Sequence, residues 1–263
     1  MRTSLARKLI YVDSLEILGC RLDVLDADVA TARIMEFARS GAGAHIITLG
    51  TEMVVYAQRD EAFRSIVNAC ALSLCDTVGL LAVARRRGAN LTARVTGVEM
   101  IDLLCAAAAR EGLPVYLLGG AEGVAADAGA ILEARFPGLV VAGERNGFFT
   151  AEEEDAVCDQ IRASGAKLLF VGLGSPRQEF WIARRLASTG AGAAIGIGGA
   201  FDVISGRVER APLFWQNLGL EWLFRLIREP RRWRRQLALP MFVWLVTLDA
   251  LGVRRAKQEG SRS

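Results

Sequence analysis

Short runs of apolar and β-branched residues alternate with segments of helical periodicity along most of this 263-residue chain. The runs predicted as strands are HIITLG (45–50), LSLC (72–75), PVYLLGG (114–120), LVVAG (139–143), KLLFVGLG (167–174) and AAIGIGG (193–199). The segments predicted as helices are 52–69, 78–88, 98–112, 122–136, 151–164 and 177–189, with glycine stops at Gly88, Gly112 and Gly165. Such alternation predicts an α/β fold in which a Rossmann-like parallel sheet is covered by helices on both faces.

The strand pattern stops after Phe201, which divides the chain in two. We predict a Rossmann-like catalytic domain over residues 1–206 and an Arg/Trp-rich helical appendage over residues 207–263, which ends in a disordered polar tail. The appendage holds 12 basic and 5 acidic residues, a net charge of +7. The whole chain carries +3, so the catalytic domain carries −4. The positive charge therefore belongs to the appendage.

The residue inventory argues against several kinds of chemistry. His45 is the single histidine, so a histidine base and a multi-histidine metal site are both disfavoured. The five cysteines are odd in number and lack the CxxC spacing of zinc or redox sites. We expect the cysteines to be reduced core residues. No GxxxxGK[ST] motif is present, which argues against a P-loop NTPase. Carboxylates and arginines remain to carry the chemistry.

Two side chains are expected at the carboxyl ends of buried strands, where parallel sheets bind their ligands. Asp76 follows LSLC directly, so it is expected to be partly desolvated, with its pKa raised toward that of a useful base. Its structural alternative is to cap the next helix. Thr48 lies near the end of HIITLG, and its alternative is an ordinary β-branched strand residue.

Three glycine-rich turns follow predicted strands and could hold a phosphate or a polar sugar through backbone N–H groups. They are LGGAEG (118–123), GLGSPRQ (172–178) and GIGGAFD (196–202), and their candidate substrate-binding glycines are Gly119, Gly172, Gly174 and Gly199. An ordinary strand-to-helix turn is the alternative for each one. GLGSPRQ also departs from GxGxxG, because Arg177 occupies the third glycine position.

Each of the remaining polar candidates for ligand binding also has an ordinary structural explanation. Arg94 precedes a helix and could bind an anionic ligand or a surface carboxylate. Gln178 is a candidate substrate-binding residue, although polar side chains such as Gln178 and Glu179 are also common at helix starts. Asp26 and Asp28 form a DxD pair, for which helix capping is favoured over metal binding.

The appendage combines arginine and tryptophan on amphipathic helices, a pattern that suits a membrane interface with anionic lipid. Its candidate diphosphate- or membrane-contacting residues are Arg225, Arg228, Arg231, Arg232 and Arg235. The apolar stretch 237–253 would add a hydrophobic face, and Pro240 and Asp249 argue against a full span there. Nucleic-acid binding and a solvated helix face are the alternatives, and the acidic main body disfavours nucleic acid.

Several longer motifs lie between residues 46 and 235, within a similarity that extends over roughly residues 13–237. They are IITLGTE, LCDTVGL, RVTGVE, LLGGAEG, FPGLVVAGERNGFF, VGLGSPRQEFW and GGAFDVISGRVERAPLFWQNLGLEWLFRLIREPRRWRR. On these motifs the chain resembles the WecG/TagA/CpsF family of bacterial glycosyltransferases.

The resemblance implies transfer of a sugar from a UDP-sugar, often UDP-N-acetylmannosamine, to an undecaprenyl-diphosphate-linked saccharide at the inner membrane face. It implies an inverting reaction without metal or other cofactor, in which Asp76 is the general base. Thr48 and Gln178 would then line the sugar pocket, and Arg94 and the appendage arginines would neutralise diphosphate. The chain departs from the family pattern at two sites: Gly50 and Thr51 replace a common Asn and a usual Pro, and Thr77 replaces a usual Gly.

These departures leave the donor sugar open, with glucose or another hexose as options. A nucleotide-cofactor oxidoreductase and a catalytically inactive membrane-surface scaffold are the alternative functions. The first 18 residues lack a long apolar stretch, so we expect no signal peptide and a cytoplasmic protein bound peripherally to the plasma membrane. A homo-oligomer remains an option.

Overall fold

The computed structural model describes residues 12–209, 211–212, 214–215, 221–228, 233 and 237–252. The strands are β1 (Ser14–Ile17), β2 (Cys20–Asp23), β3 (Ala44–Leu49), β4 (Leu72–Cys75), β5 (Val115–Gly119), β6 (Val141–Arg145), β7 (Leu168–Gly172) and β8 (Ala193–Gly196). The helices are α1 (Ala27–Ser40), α2 (Thr51–Tyr56), α3 (Glu61–Ala69), α4 (Val78–Arg86), α5 (Gly97–Glu111), α6 (Val124–Arg135), α7 (Glu154–Ser164), α8 (Arg177–Thr189), α9 (Ala200–Ile204), α10 (Glu221–Arg228) and α11 (Ala238–Ala250).

Within these ranges, strands β3 to β8 form one six-stranded parallel sheet in the order β4-β3-β8-β7-β5-β6. Every strand predicted from the sequence is present in this sheet. In the register of the sheet, Thr48 lies opposite Leu74 and Ile46 lies opposite Ile195. The Rossmann-like prediction is confirmed.

Helices cover both faces of the sheet. Ile46 and Ile47 are both fully buried, yet they belong to different core clusters because successive side chains of a strand point to opposite faces. Ile46 packs in the cluster that includes α1, α5 and α6, and Ile47 packs in the cluster that includes α2, α3 and α4. Burial on both faces explains why the strands are apolar at consecutive positions.

Local signals in the sequence set many helix ends. The Asp26 side chain accepts a hydrogen bond from the backbone N–H of Val29 at 3.0 Å and begins α1, which confirms its capping role. A capping box of Thr96 and Glu99 begins α5. Gly112 and Gly165 end α5 and α7 in the left-handed conformation, with φ of 64° and 70°.

In the N-terminal third, the structure divides one predicted helix into two and adds a hairpin that was not predicted. The helix predicted over 52–69 is two helices, because Asp60 caps α3 by accepting from the backbone N–H of Phe63 at 2.9 Å. The hairpin β1–β2 was not predicted, because each strand has only four residues and Leu18-Gly19 is not one of the usual hairpin turn pairs. Asp23 joins this hairpin to β4 by accepting from the backbone N–H of Ser73 at 2.8 Å.

Helix α11, beyond the strand-containing part, packs against α2. Phe242 is 3% exposed and joins the core cluster of that face, where it lies over Gly79. A 2.5 Å ion pair between Arg87 and Asp249 supports the same contact. Helix α11, which lies in the predicted appendage, therefore packs on one face of the sheet together with α2.

None of the helices in the described ranges is both long and apolar enough to span a membrane. All five cysteines are buried and unpaired, as predicted.

Candidate active site

A cavity of about 750 Å³ opens at the carboxyl ends of β3, β4, β7 and β8, which are neighbours in the sheet. Volumes of roughly 300–1,000 Å³ are typical of small-molecule sites. The cavity lies between the start of α2, the start of α5 and the loops that follow β7 and β8. Trp222 of α10 and Ala238 and Leu239 of α11 complete its wall.

The structure brings most of the predicted site residues together in this cavity. Those that line it are Thr48, Asp76, Arg94, Gly172, Gly174, Gln178 and Gly199. They come from positions 48 to 199 of the chain, so the folded sheet makes one site from distant motifs. Their roles in binding and catalysis remain predictions.

Gly119 is placed differently from the prediction, because it is not among the residues that line the cavity. It ends β5, which lies on the far side of β7 from the strands that form most of the site. A Cβ atom at this position would lie 2.4 Å from the Gly172 carbonyl oxygen, and the φ of Gly119 is 141°. Glycine is needed here for close packing between strand ends.

Asp76 stands at the edge of the sheet directly after β4. Its backbone N–H donates to the Leu49 carbonyl oxygen at 3.0 Å, and its Oδ1 accepts from the backbone N–H of Gly97 at 3.3 Å. Asp76 therefore contacts the start of α5. The alternative role considered from the sequence was that Asp76 caps the next helix, α4. The N-cap of that helix is instead Thr77.

Thr48 and Gln178 are both tied to the end of β8. The Thr48 hydroxyl donates to the Gly196 carbonyl oxygen at 2.9 Å. The Gln178 side chain, only 3% exposed, accepts from the backbone N–H of Gly198 at 3.1 Å through Oε1. These bonds hold two polar side chains at fixed places in the cavity wall.

The cavity is also lined by residues that the sequence analysis did not identify as site candidates. Glu52 and Asp202 lie in the IITLGTE and GGAFD motifs, so those motifs were a signal that could have found them. Among the described lining residues, the acidic side chains are Glu52, Asp76 and Asp202, and the basic one is Arg94. Trp222 lies in the long motif that contains Asp202, but the sequence alone did not show that α10 would bring it to the cavity.

Two helix N-termini compensate in part for this acidic lining. Thr96, Gly97 and Val98 open α5 at the cavity, and Gly174 and Ser175 lead into α8 beside it. Because backbone dipoles sum along a helix, these ends carry partial positive charge and favour anionic groups.

The appendage arginines are described only in part. Arg228 forms a 2.5 Å ion pair with Glu209 and lies 5.6 Å from the centre of the Phe224 ring, and it is not among the residues that line the cavity. Arg225 belongs to α10. Arg231, Arg232 and Arg235 lie outside the described residues.

No group of three or more His, Cys, Asp or Glu side chains is arranged to hold a metal ion in the part of the chain that the structure describes.

The fold and the cavity define an α/β protein that binds its ligand outside the carboxyl ends of parallel strands. The model of the glycosyl transferase WecG/TagA/CpsF family matches residues 15–256, so the chain belongs to this family. It is therefore a glycosyltransferase of cell-surface polysaccharide biosynthesis, which sets aside the oxidoreductase alternative. The family implies a nucleotide-sugar donor and a lipid-linked acceptor. The match covers all the strands of the sheet and helices α1 to α11.

Proposed function

We propose that this protein transfers a hexosyl or N-acetylhexosaminyl group from a UDP-sugar to an undecaprenyl-diphosphate-linked saccharide, with inversion at the anomeric carbon. UDP-N-acetylmannosamine is the first donor to test. The observation that carries the proposal is the position of Asp76, whose carboxyl group stands in the cavity wall beside a helix start, together with Thr48, Arg94 and Gln178. That arrangement provides a base next to groups suited to a sugar and an anion.

In the proposed reaction, a hydroxyl oxygen of the acceptor saccharide attacks the anomeric carbon of the donor. The new carbon–oxygen bond forms on the face opposite the diphosphate, while the bond to the diphosphate oxygen breaks and UDP leaves. Asp76 accepts the proton of the attacking hydroxyl, which makes that oxygen a better nucleophile. A single displacement of this kind inverts the anomeric configuration.

Negative charge develops on the departing UDP and would be stabilised by positively charged groups of the protein. Arg94 and the N-termini of α5 and α8 border the cavity. The appendage arginines would add positive charge, which matters because three carboxylates line the described part of the cavity. Fixed positive groups aimed at developing charge can supply much of the rate enhancement. In this proposal no metal or cofactor takes part.

The proposal divides the chain into a catalytic domain over 1–206 and a membrane-contacting appendage over 207–263, although both contribute to the cavity wall. Exposed apolar side chains are concentrated on the described part of the appendage. They include Phe214, Trp222, Ile227, Leu237, Met241, Val243, Trp244 and Leu251. Apolar surface beside a basic segment suits peripheral binding to the inner face of the plasma membrane, where a polyprenyl-linked acceptor is held.

The test is reconstitution of the reaction with defined substrates. The full chain is first screened for thermal stabilisation by a panel of UDP-sugars, and the donors that bind are then incubated with undecaprenyl-diphosphate-N-acetylglucosamine in anionic vesicles. We expect a lipid-linked disaccharide and an equal amount of UDP. Donor binding without transfer to any lipid-diphosphate saccharide, or no binding of any UDP-sugar, would favour the inactive scaffold.

A further inference from the structure

A buried carboxyl group lies directly behind the wall of the cavity. Glu179, in the first turn of α8, is 1% exposed, and its Oε1 accepts a 2.7 Å hydrogen bond from the amide Nε2 of Gln178. The amide oxygen of Gln178 accepts from the Gly198 backbone N–H at 3.1 Å. Since one end of the amide faces a donor and the other faces an acceptor, the two contacts determine its orientation.

The end of β8 is shaped to receive this pair. A Cβ atom on Gly196 would lie 2.7 Å from Gln178 Nε2 and 3.3 Å from Glu179 Oε1, so both side chains occupy the space above that glycine. The Gly196 carbonyl oxygen also accepts the hydrogen bond from Thr48. Thr48, Gln178 and Glu179 thus meet at one strand end, and the first two line the cavity.

Burial of this carboxyl group is costly. Within the described residues, Glu179 Oε2 has no partner that meets hydrogen-bond geometry. Burial raises the pKa of Glu179, and the nearby charge of Glu52 adds to the rise, while interactions with Gln178 and Ser175 oppose it. A methionine of similar size would fill the same space without this cost. A packing role alone therefore does not explain a carboxyl group here.

We propose that Glu179 is a positioning residue for glycosyl transfer, which holds the Gln178 amide so that its second N–H is directed at the donor sugar. This inference rests on the proposed function. Glu179 itself does not touch the substrate, and its effect passes through Gln178. Without Glu179 Oε1, only the bond from the Gly198 N–H holds the Gln178 amide. The amide is then less firmly oriented about its terminal bond, and its hydrogen bond to the donor is lost in a fraction of molecules.

The test compares two variants that fill the same space. Glu179→Gln keeps an oxygen acceptor for Gln178, and Glu179→Met keeps the volume but has no acceptor of comparable strength. We expect Glu179→Met to lower kcat/KM for the donor about 10- to 100-fold, and Glu179→Gln to stay within about threefold of the wild-type protein. The melting temperature of each variant is measured in parallel, so that a loss of folded protein is separated from a loss of function.

A double-mutant cycle distinguishes positioning from general destabilisation. In the Gln178→Ala background, Glu179→Met is expected to have less than a twofold further effect on kcat/KM, because the group through which it acts is gone. Equal activity of the Met and Gln variants, or full additivity in the cycle, would overturn the inference. Wild-type transfer is measured first. If it fails, the proposed function fails, whereas wild-type transfer with an unaffected Glu179→Met variant rejects the positioning role alone.

Discussion

Asp76 Oδ1 accepts a hydrogen bond from the Gly97 backbone N–H at 3.3 Å, so the candidate base is held against the start of α5. Replacing Asp76 with Asn keeps an oxygen that can accept this bond and removes the basic carboxylate. We therefore expect Asp76→Asn to fold normally and to lose roughly two to four decades of transfer rate. Single-turnover transfer and thermal unfolding of the same preparation measure both quantities.

Asp202→Asn is the matched control, because Asp202 lines the same cavity and the substitution has the same size. We expect a smaller loss at this position, since the proposed mechanism gives Asp202 no role in proton transfer. Near-normal turnover of Asp76→Asn, or an equal loss in both variants, would contradict the assignment of Asp76 as the base.

Gly50 and Thr77, at both of which the chain departs from the family pattern, lie side by side in the cavity wall. A Cβ atom on Gly50 would lie 3.5 Å from Thr77 Cγ2, an ordinary contact, and the φ of Gly50 is −108°, which other residues adopt readily. The Gly50→Asn/Thr77→Gly double variant is therefore expected to fold. We expect the ratio of kcat/KM for UDP-N-acetylmannosamine to that for UDP-glucose to rise about tenfold.

Each single variant is measured alongside the double variant. Because the two side chains would touch, we expect their effects on selectivity to be non-additive. An unchanged selectivity ratio in the double variant would show that these positions do not determine the donor sugar.

Met241 and Trp244 are half-exposed on α11, one turn apart. If this face binds the membrane, Met241→Ser/Trp244→Ser removes apolar area that would be buried in the lipid interface. Full burial of a large apolar side chain contributes about 1.5–3 kcal/mol, so binding to vesicles with anionic phosphatidylglycerol should fall at least tenfold. Co-sedimentation measures the effect.

The matched control is Ile131→Ser/Val140→Ser, which changes exposed apolar residues outside the appendage. We expect it to bind vesicles as the wild-type protein does. Deleting everything after residue 206 should also abolish binding and activity, but it removes Phe242 from the core as well. Unaltered binding of the Met241/Trp244 variant would exclude this face as the membrane contact.

His45 gives the fold a distinct sensitivity to acid. Burial lowers its pKa from 6.5 to about 4, because the charged form is poorly solvated at the start of β3. The unfolded chain therefore binds a proton before the folded protein does. The stability associated with neutral His45 is complete above pH 6.5 and is lost as the pH falls from 6.5 towards 4.

His45→Gln removes this titration. Between pH 7 and pH 4, the free energy of unfolding should fall more in the wild-type protein than in the variant, by up to about 3 kcal/mol. Urea unfolding at several pH values measures the difference, in which the titration of the carboxyl groups common to both proteins cancels. Parallel stability curves for the two proteins would contradict the assignment.

Local patterns predicted much of the fold and part of the site. The apolar runs indicated the six sheet strands, and the capping residue Asp26 indicated a helix start, because both signals act between residues close in sequence. The hairpin β1–β2 was missed because its two strands of four residues are too short to show a distinct periodicity. Asp76 was placed correctly at a strand end, but the helix that it contacts begins 21 residues later.

The sequence by itself determined that polar residues and glycines follow apolar strands, since strand and helix periodicities are local properties of the chain. Only the tertiary structure decided which strand ends are neighbours. Thr48 bonds to Gly196, 148 residues away, whereas Gly119 is placed outside the cavity by the strand order. The burial of Glu179 and the docking of Phe242 were decided in the same way, because both depend on packing between elements distant in sequence.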